Sequence, residues 1–474
     1  MNKLIPALAL SVLTTTVAFG QASTNSFFNW ETPPVHPLAL SPDGTKLVLC
    51  NLPDNRLEIF TVTNGTPVSL GNISVGLDPC SVRFRTSDEV WVANFISDSI
   101  SVVSLSGMRV VATMTVSNEP SDIVFAGTPL RAFVTCAQPG LVQVFDAATR
   151  APVSTLAIDG NRPKAMATSP DGGKVYVAVF ESGNGSTIIG AGVNLGLPPP
   201  TPVDFPSSPS GGLNPPPNSG TNFSPAINPA IPATNLPPRV GLIVKRNAAG
   251  QWMDDNNGDW SSFITGANAP FTGRPPGWTL PDRDLAIINA TNLAISYASG
   301  LMNICMDVAV NPATGKITAI GTDALNEIRF EPVLKSIFVR VEMATVDPVL
   351  LTNAVVDLNP HLDYTNRIIT PTERAKSLGD PRGIVWSADG SRGYVTGMGS
   401  DNLAIINPAG QRIGTNAAIA LGKGPTGMAL DEARGRLYVW NRFDGSISVV
   451  DTATESVVQT VPLFDPTPTV IKLG

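Results

Sequence analysis

Pro163-Lys-Ala-Met-Ala-Thr-Ser-Pro-Asp-Gly-Gly-Lys-Val-Tyr-Val-Ala-Val179 holds the pattern on which the fold turns. A short apolar run ends in Ser169-Pro170-Asp171-Gly172, and apolar residues resume in Val175-Tyr-Val-Ala-Val179. Asp-Gly between two such runs signals a hairpin, because glycine accepts a positive φ and aspartate bonds its own backbone. Pro381-Arg-Gly-Ile-Val-Trp-Ser-Ala-Asp-Gly390 leads into Gly393-Tyr-Val-Thr-Gly397 in the same way, and an earlier unit carries Ser41-Pro42-Asp43-Gly44.

Outward from this stretch the pattern recurs at a fixed period. Segments opening at Pro79, Pro120 and Pro163 lie 41 and 43 residues apart, and those at Pro381 and Pro425 lie 44 apart. Second strands read Val90-Trp-Val-Ala-Asn94, Ala132-Phe-Val-Thr-Cys136 and Leu437-Tyr-Val-Trp-Asn441. Third strands read Ile100-Ser-Val-Val103, Leu141-Val-Gln-Val-Phe145 and Ile447-Ser-Val-Val450, each before a polar turn such as Asp451-Thr-Ala-Thr454. A fourth strand follows, as in Ser456-Val-Val-Gln-Thr-Val461. Four short antiparallel strands in about 42 residues make one propeller blade.

Units start near residues 35, 79, 120, 163, 305, 381 and 425, with Cys305 in the place of the proline. The expected fold is therefore all-β: a seven-bladed β-propeller of four-stranded antiparallel blades over residues 35–465. The fourth blade carries a Pro/Gly-rich insertion of about 100 residues, 181–282. Residues 195–238 are too poor in apolar side chains to pack alone, whereas Val240-Gly-Leu-Ile-Val244 reads as a strand. A second insertion lies within 322–379, with Thr372 to Ser377 as a short helix. The alternative is an eighth blade within 181–282.

Composition agrees. Charged residues make up 15% while Gly (42) and Pro (43) abound, the profile of many short strands and turns. Net charge is −7 with no cluster of Lys or Arg, which argues against nucleic acid as a partner. Lys3, the apolar Leu4 to Leu13 and small residues near Ala22 read as a signal peptide over 1–22, followed by an arm over 23–34. No later stretch has the roughly 18–20 apolar residues that span a bilayer. The mature chain is expected in the periplasm or outside the cell, extracellular or at the cell surface. Residues 466–474 look like a linker.

The repeated Val92-Ala-Asn94, Tyr394-Val-Thr396 and Asp451-Thr-Ala-Thr454 resemble the YVTN-repeat family of seven-bladed propellers, similar to bacterial YncE-like proteins. Some propellers of this kind continue into a c-type cytochrome or peroxidase-like domain. The resemblance implies a docking module whose haem partner lies outside this chain, which itself contains no CxxCH.

Loops sort onto two faces. First-to-second and third-to-fourth turns share one, and the other carries second-to-third loops, blade connections and the long insertion. The second is the candidate working face, since ligands favour loops held on a rigid scaffold. Asn51, Asn94, Glu181, Met398, Asn441 and Arg442 end second strands there and are candidate ligand- or partner-binding residues, or caps of their own loops. Cys50 and Cys80 could form a disulfide, the alternative being buried thiols. Asp255, Asn257 and Asp259 could offer oxygen ligands to Ca²⁺, although the spacing departs from an EF-hand and the alternative is a solvated turn. No catalytic constellation is recognisable, and only His36 and His361 are available as histidines. The favoured function is a non-catalytic platform for a protein partner or adjoining domain. The alternatives are a metal-dependent lactonase or esterase at the channel mouth, and a cell-surface structural or adhesion propeller.

Overall fold

Second strands such as Glu89–Asn94, Arg131–Cys136 and Arg436–Asn441 are buried at five successive residues, so both their faces are covered. Fourth strands such as Arg109–Thr115 and Ser456–Pro462 instead alternate between exposed and half-buried. This contrast alone orders each sheet radially. Strands covered on both faces read as apolar runs, and a strand with one wet face alternates. Val, Ile, Trp and Tyr fill the covered strands because branched and aromatic side chains suit a pleated, crowded surface.

The computed structural model describes residues 34–189, 242–253, 259–267, 269, 280–324, 339–364, 369–414, 418–468 and 471. The expected signal peptide and all of the expected arm except Pro34 lie outside these residues, as do 195–238, Asp255 and Asn257.

Five separate four-stranded antiparallel sheets span residues 38–74, 79–115, 120–157, 381–420 and 425–462, each with strands in chain order. An eight-stranded sheet holds Asn161–Thr168, Lys174–Glu181, Leu285–Asn289 and Ile295–Ala298 together with the four strands between Ile304 and Asp357. The two halves meet where Glu181 pairs Ile304. The Asp-Gly turns form as read: Ser169 Oγ donates to Asp171 at 2.5 Å and Gly172 takes φ +66°.

First strands pack side by side in chain order: Leu38–Leu40, Pro79–Phe84, Pro120–Ala126, Asn161–Thr168, Ile304–Val310, Pro381–Trp386 and Pro425–Asp431. The last packs against the first. The cycle closes, and the chain is a β-propeller. Closure needs no exchanged strand, because the last sheet draws all four strands from 425–462. The seam is an apolar core in which Leu47, Leu49 and Phe60 meet Tyr438, Trp440 and Ile447. Tyr438 also donates its hydroxyl to Gly65 O at 3.1 Å.

Between Glu181 and Leu285 the chain leaves the ring and returns, yet Lys174–Glu181 pairs directly with Leu285–Asn289. The described part of this excursion is not a four-stranded blade. It is a three-stranded sheet (Ser186–Ile189, Leu242–Arg246, Trp252–Met253) and a short helix, Ser261–Ile264. Val244, Trp252, Trp260, Phe263 and Ile264 give it a small core of its own. Lys245 and Asn184 both reach Asp323, at 2.6 and 2.8 Å, and tie it to the following sheet. Pro371–Lys376 is helical, started by a capping box between Thr370 and Glu373.

Trp440 is 2% exposed at the seam. Trp440→Ala is expected to destabilise the ring by about 3–5 kcal/mol through lost burial and a cavity, read as an earlier urea midpoint in circular dichroism. A loss below about 1 kcal/mol would show that the seam does not hold the ring.

Candidate functional site

The residues singled out in the sequence stand singly around the rim of the second face, one or two to a sheet, and do not converge. Asn51 is buried and its amide donates to Glu58 and to Phe464 O. Asn94 and Asn441 are buried and play one role twice. Asn94 donates to Ser99 and Ser101, Asn441 to Ser446 and Ser448, so each amide braces its own second-to-third loop. Glu181 is half-buried and accepts from Asn161 at 2.6 Å. Met398 is half-buried, its N–H bound to Asp380 O. Arg442 is half-buried with its guanidinium 5.7 Å from the ring centre of the exposed Phe443. Asp259 accepts from the Ser261 hydroxyl and N–H and from Gln251, which lowers its pKa. Its proposed companions Asp255 and Asn257 fall outside the described residues. Among the described residues no group of three or more His, Cys, Asp or Glu is arranged to hold a metal ion.

Of the two readings of the cysteines, the structure has the buried thiols and not a Cys50–Cys80 disulfide: all four are free and buried. Cys80 Sγ points at the carbonyl oxygens of Ala93, Pro120 and Ser121, at 3.3 to 3.6 Å, not at Cys50. Burial pushes all four thiols up, Cys136 to about 12, so none is a ready thiolate.

What the structure does bring together is a charged hub inside the channel, which the spacing of residues did not reveal. Asp122 and Asp307 hold matching places on first strands, each just past a bulge in pairing with the second strand. Each carboxylate accepts an N–H from the first strand of the next sheet: Met166 N at 2.8 Å for Asp122, Ile384 N at 2.9 Å for Asp307. His36 lies between them, with Nδ1 2.7 Å from Asp122 and Nε2 3.0 Å from Asp307. Its segment is fixed by backbone bonds from Val35 N to Cys80 O and from Val82 N to His36 O. Arg83 adds contacts to Asp122 at 3.1 Å and to the carbonyls of Ile123 and Met166.

Carboxylates on both sides of the ring favour an imidazolium, against which Arg83 Nη2 stands 2.6 Å from the same Nδ1. Burial and the nearby Arg83 work against that charge, but Asp122 and Asp307 outweigh them and raise the His36 pKa from 6.5 to about 9. Burial would raise the Asp122 carboxyl, yet Arg83 and His36 hold it well below the ordinary carboxylate range. His36 and Arg83 thus stand against Asp122 and Asp307 in one cluster.

Above the hub, the chain enters five of the seven first strands through a left-handed residue placed before the proline: Asp78, Glu119, Arg162, Asp380 and Gly424, with φ from 49° to 69°. These turns set Glu119 and Arg162 2.8 Å apart, and Asp380 and Arg382 2.9 Å apart. A separate cleft of about 990 Å³ lies between Asp357, His361 and Arg412. Arg412 is already committed there to Leu358 O, Lys376 O and Asn359.

No protein-family model and no curated protein sequence matches the chain. Solved structures do. A chain of hydrazine synthase from Kuenenia stuttgartiensis superposes with a TM-score of 0.56 at 14% identity, covering 91% of this chain and 99% of that one. A functionally unknown protein from Desulfotomaculum acetoxidans gives a TM-score of 0.47 at 12% identity over 88% and 94%. A candidate 6-phosphogluconolactonase from Bacteroides uniformis gives 0.43 at 14% over 81% and 84%. At such identities the likeness is one of fold.

Because the folded pKa of His36 lies above the unfolded one, its stabilisation is full below about pH 6.5 and fades as pH rises through about 9. Wild-type stability is therefore expected to fall across this window relative to His36→Gln, and an unchanged difference would refute the imidazolium. Ellman's reagent is expected to find no reactive thiol in the native chain and four after unfolding.

Proposed function

We propose that this chain is an exported, seven-bladed propeller of YVTN type that works as a binding platform through its second face. The ring of first strands supports the blade count once the eight-stranded sheet is taken as two blades joined at Glu181. One observation carries the platform reading. A metal-dependent hydrolase at the channel would need carboxylates free to ligate, and the two in this channel are bound by His36 and by backbone N–H groups. Their role is to clamp neighbouring sheets.

The rim offers what a partner could grip. Phe443 is 52% exposed beside Arg442, and aromatic and arginine side chains dominate interface energetics. Glu181 and Met398 are half-open on the same rim, whereas Asn51, Asn94 and Asn441 shape the loops that present them. The partner is a protein or an adjoining domain, of which a c-type cytochrome is the reading that the YVTN resemblance favours. The periplasm or cell surface is the proposed location, and Asp255, Asn257 and Asp259 the proposed site should Ca²⁺ bind.

The test is metal stoichiometry after dialysis against Ca²⁺, Zn²⁺ or Mn²⁺, with assays on lactones and aryl esters. The platform reading expects no turnover in any of them. Turnover that needs one equivalent of metal and is lost in Asp122→Asn would establish the hydrolase instead.

A further inference from the structure

The channel sets His36 and Arg83 against Asp122 and Asp307, and the mouth sets Arg162 against Glu119 and Arg382 against Asp380. Lys164 is bonded to no such carboxylate. It follows Pro163 on the first strand of the fourth unit and is only 5% exposed. Its ammonium stands 3.7 Å over the centre of the Phe180 ring and donates to no oxygen among the described residues. The charges acting on it are Arg162 and Arg382, of its own sign, and more weakly Glu119, which is itself bound to Arg162, as Asp380 is to Arg382. Arg382 holds the corresponding place after its own proline, as does Thr426, a buried hydroxyl with no hydrogen-bond partner.

We infer that Lys164 is the centre of an oxyanion site at the channel mouth, and that the group it receives is a carboxylate. A largely buried ammonium with no carboxylate bonded to it burdens the fold, and a bound anion relieves that burden. The unmatched charge is single, which suits a monoanionic carboxylate better than a doubly charged phosphate. The apolar Phe180 ring on one side leaves the ammonium with donors to spare for the ligand. Burial, then Arg162 and Arg382, lowers the Lys164 pKa to about 8, so it still carries its charge at neutral pH. The inference deepens the platform reading and rests on it for the choice of face.

The experiment titrates the full chain with acetate and with N-acetyl-glutamate α-amide at constant ionic strength, followed by calorimetry and by melting temperature. Wild type is expected to bind and to melt higher. Lys164→Met is expected to bind at least about tenfold more weakly, while Lys423→Met, an exposed cation held by Asp401, binds as wild type. Saturation by acetate with no gain from the blocked glutamate assigns the site to a small free carboxylate, and a tenfold preference for the blocked glutamate assigns it to one presented by a polypeptide. Without added anion, Lys164→Met is expected to melt at or above the wild-type temperature. A lower melting point would make the lysine a packing element held by Phe180, and equal binding by Lys164→Met would place the anion elsewhere; either overturns the inference. Failure here leaves the metal and turnover measurements untouched, so the two readings fall separately.

Discussion

Each sheet of this ring has two apolar faces and no helix to cover either. Only the neighbouring sheets can do so, and the ends of the row would stay bare unless the last sheet met the first. That constraint explains why buried side chains gather into clusters between sheets rather than within them. Trp91 packs edge-on to Phe125 of the following sheet, with ring centres 5.3 Å apart. Val48 and Ile59 of the first sheet pack with Val90 and Val92 of the second. The seam at Trp440 is one more such contact, distinguished only by joining the two ends of the chain.

Closure also manufactures the channel, and a channel lined by first strands has a difficulty of its own: the strands at its centre have no further strand to pair with inward. Asp122 and Asp307 answer it by taking the N–H of the next first strand, which couples neighbours by hydrogen bonds as well as by packing. Their negative charges are then offset by His36, carried in from the start of the ring, and by Arg83. Buried charge of this kind adds little net stability, since desolvation consumes most of the attraction, but removing one partner exposes the full penalty. The hub is best understood as fixing how the sheets sit around the axis.

The mouth obeys a different rule. Its turns are set by the residue before each proline, held at positive φ, and the pairs Glu119–Arg162 and Asp380–Arg382 are the local result. The same turn geometry places Lys164 where no partner follows. A scaffold that repeats its backbone while varying one side chain per repeat puts different chemistry at matching positions around one axis, which is how a fold of uniform blades acquires a specific site.

Much of the ring was legible in the sequence because blade formation is local. Strand, Asp-Gly turn and strand lie within some twenty residues, and alternation distinguishes covered strands from the outer one. The third strand of the interrupted unit lies at Leu285–Asn289, just past the insertion read over 181–282. The roles of single residues were less accessible. Asn94 and Asn441, noted for ending their strands, turn inward to brace serines five and seven residues on. His36 passed as one of two scattered histidines, although its ring joins carboxylates 86 and 271 residues away. Nothing in spacing encodes that meeting. Local periodicity determined the blades and their turns; the hub, the free thiols and the unmatched Lys164 were decided by the ring, because only its closure brings distant first strands to a common axis and excludes water from what they carry.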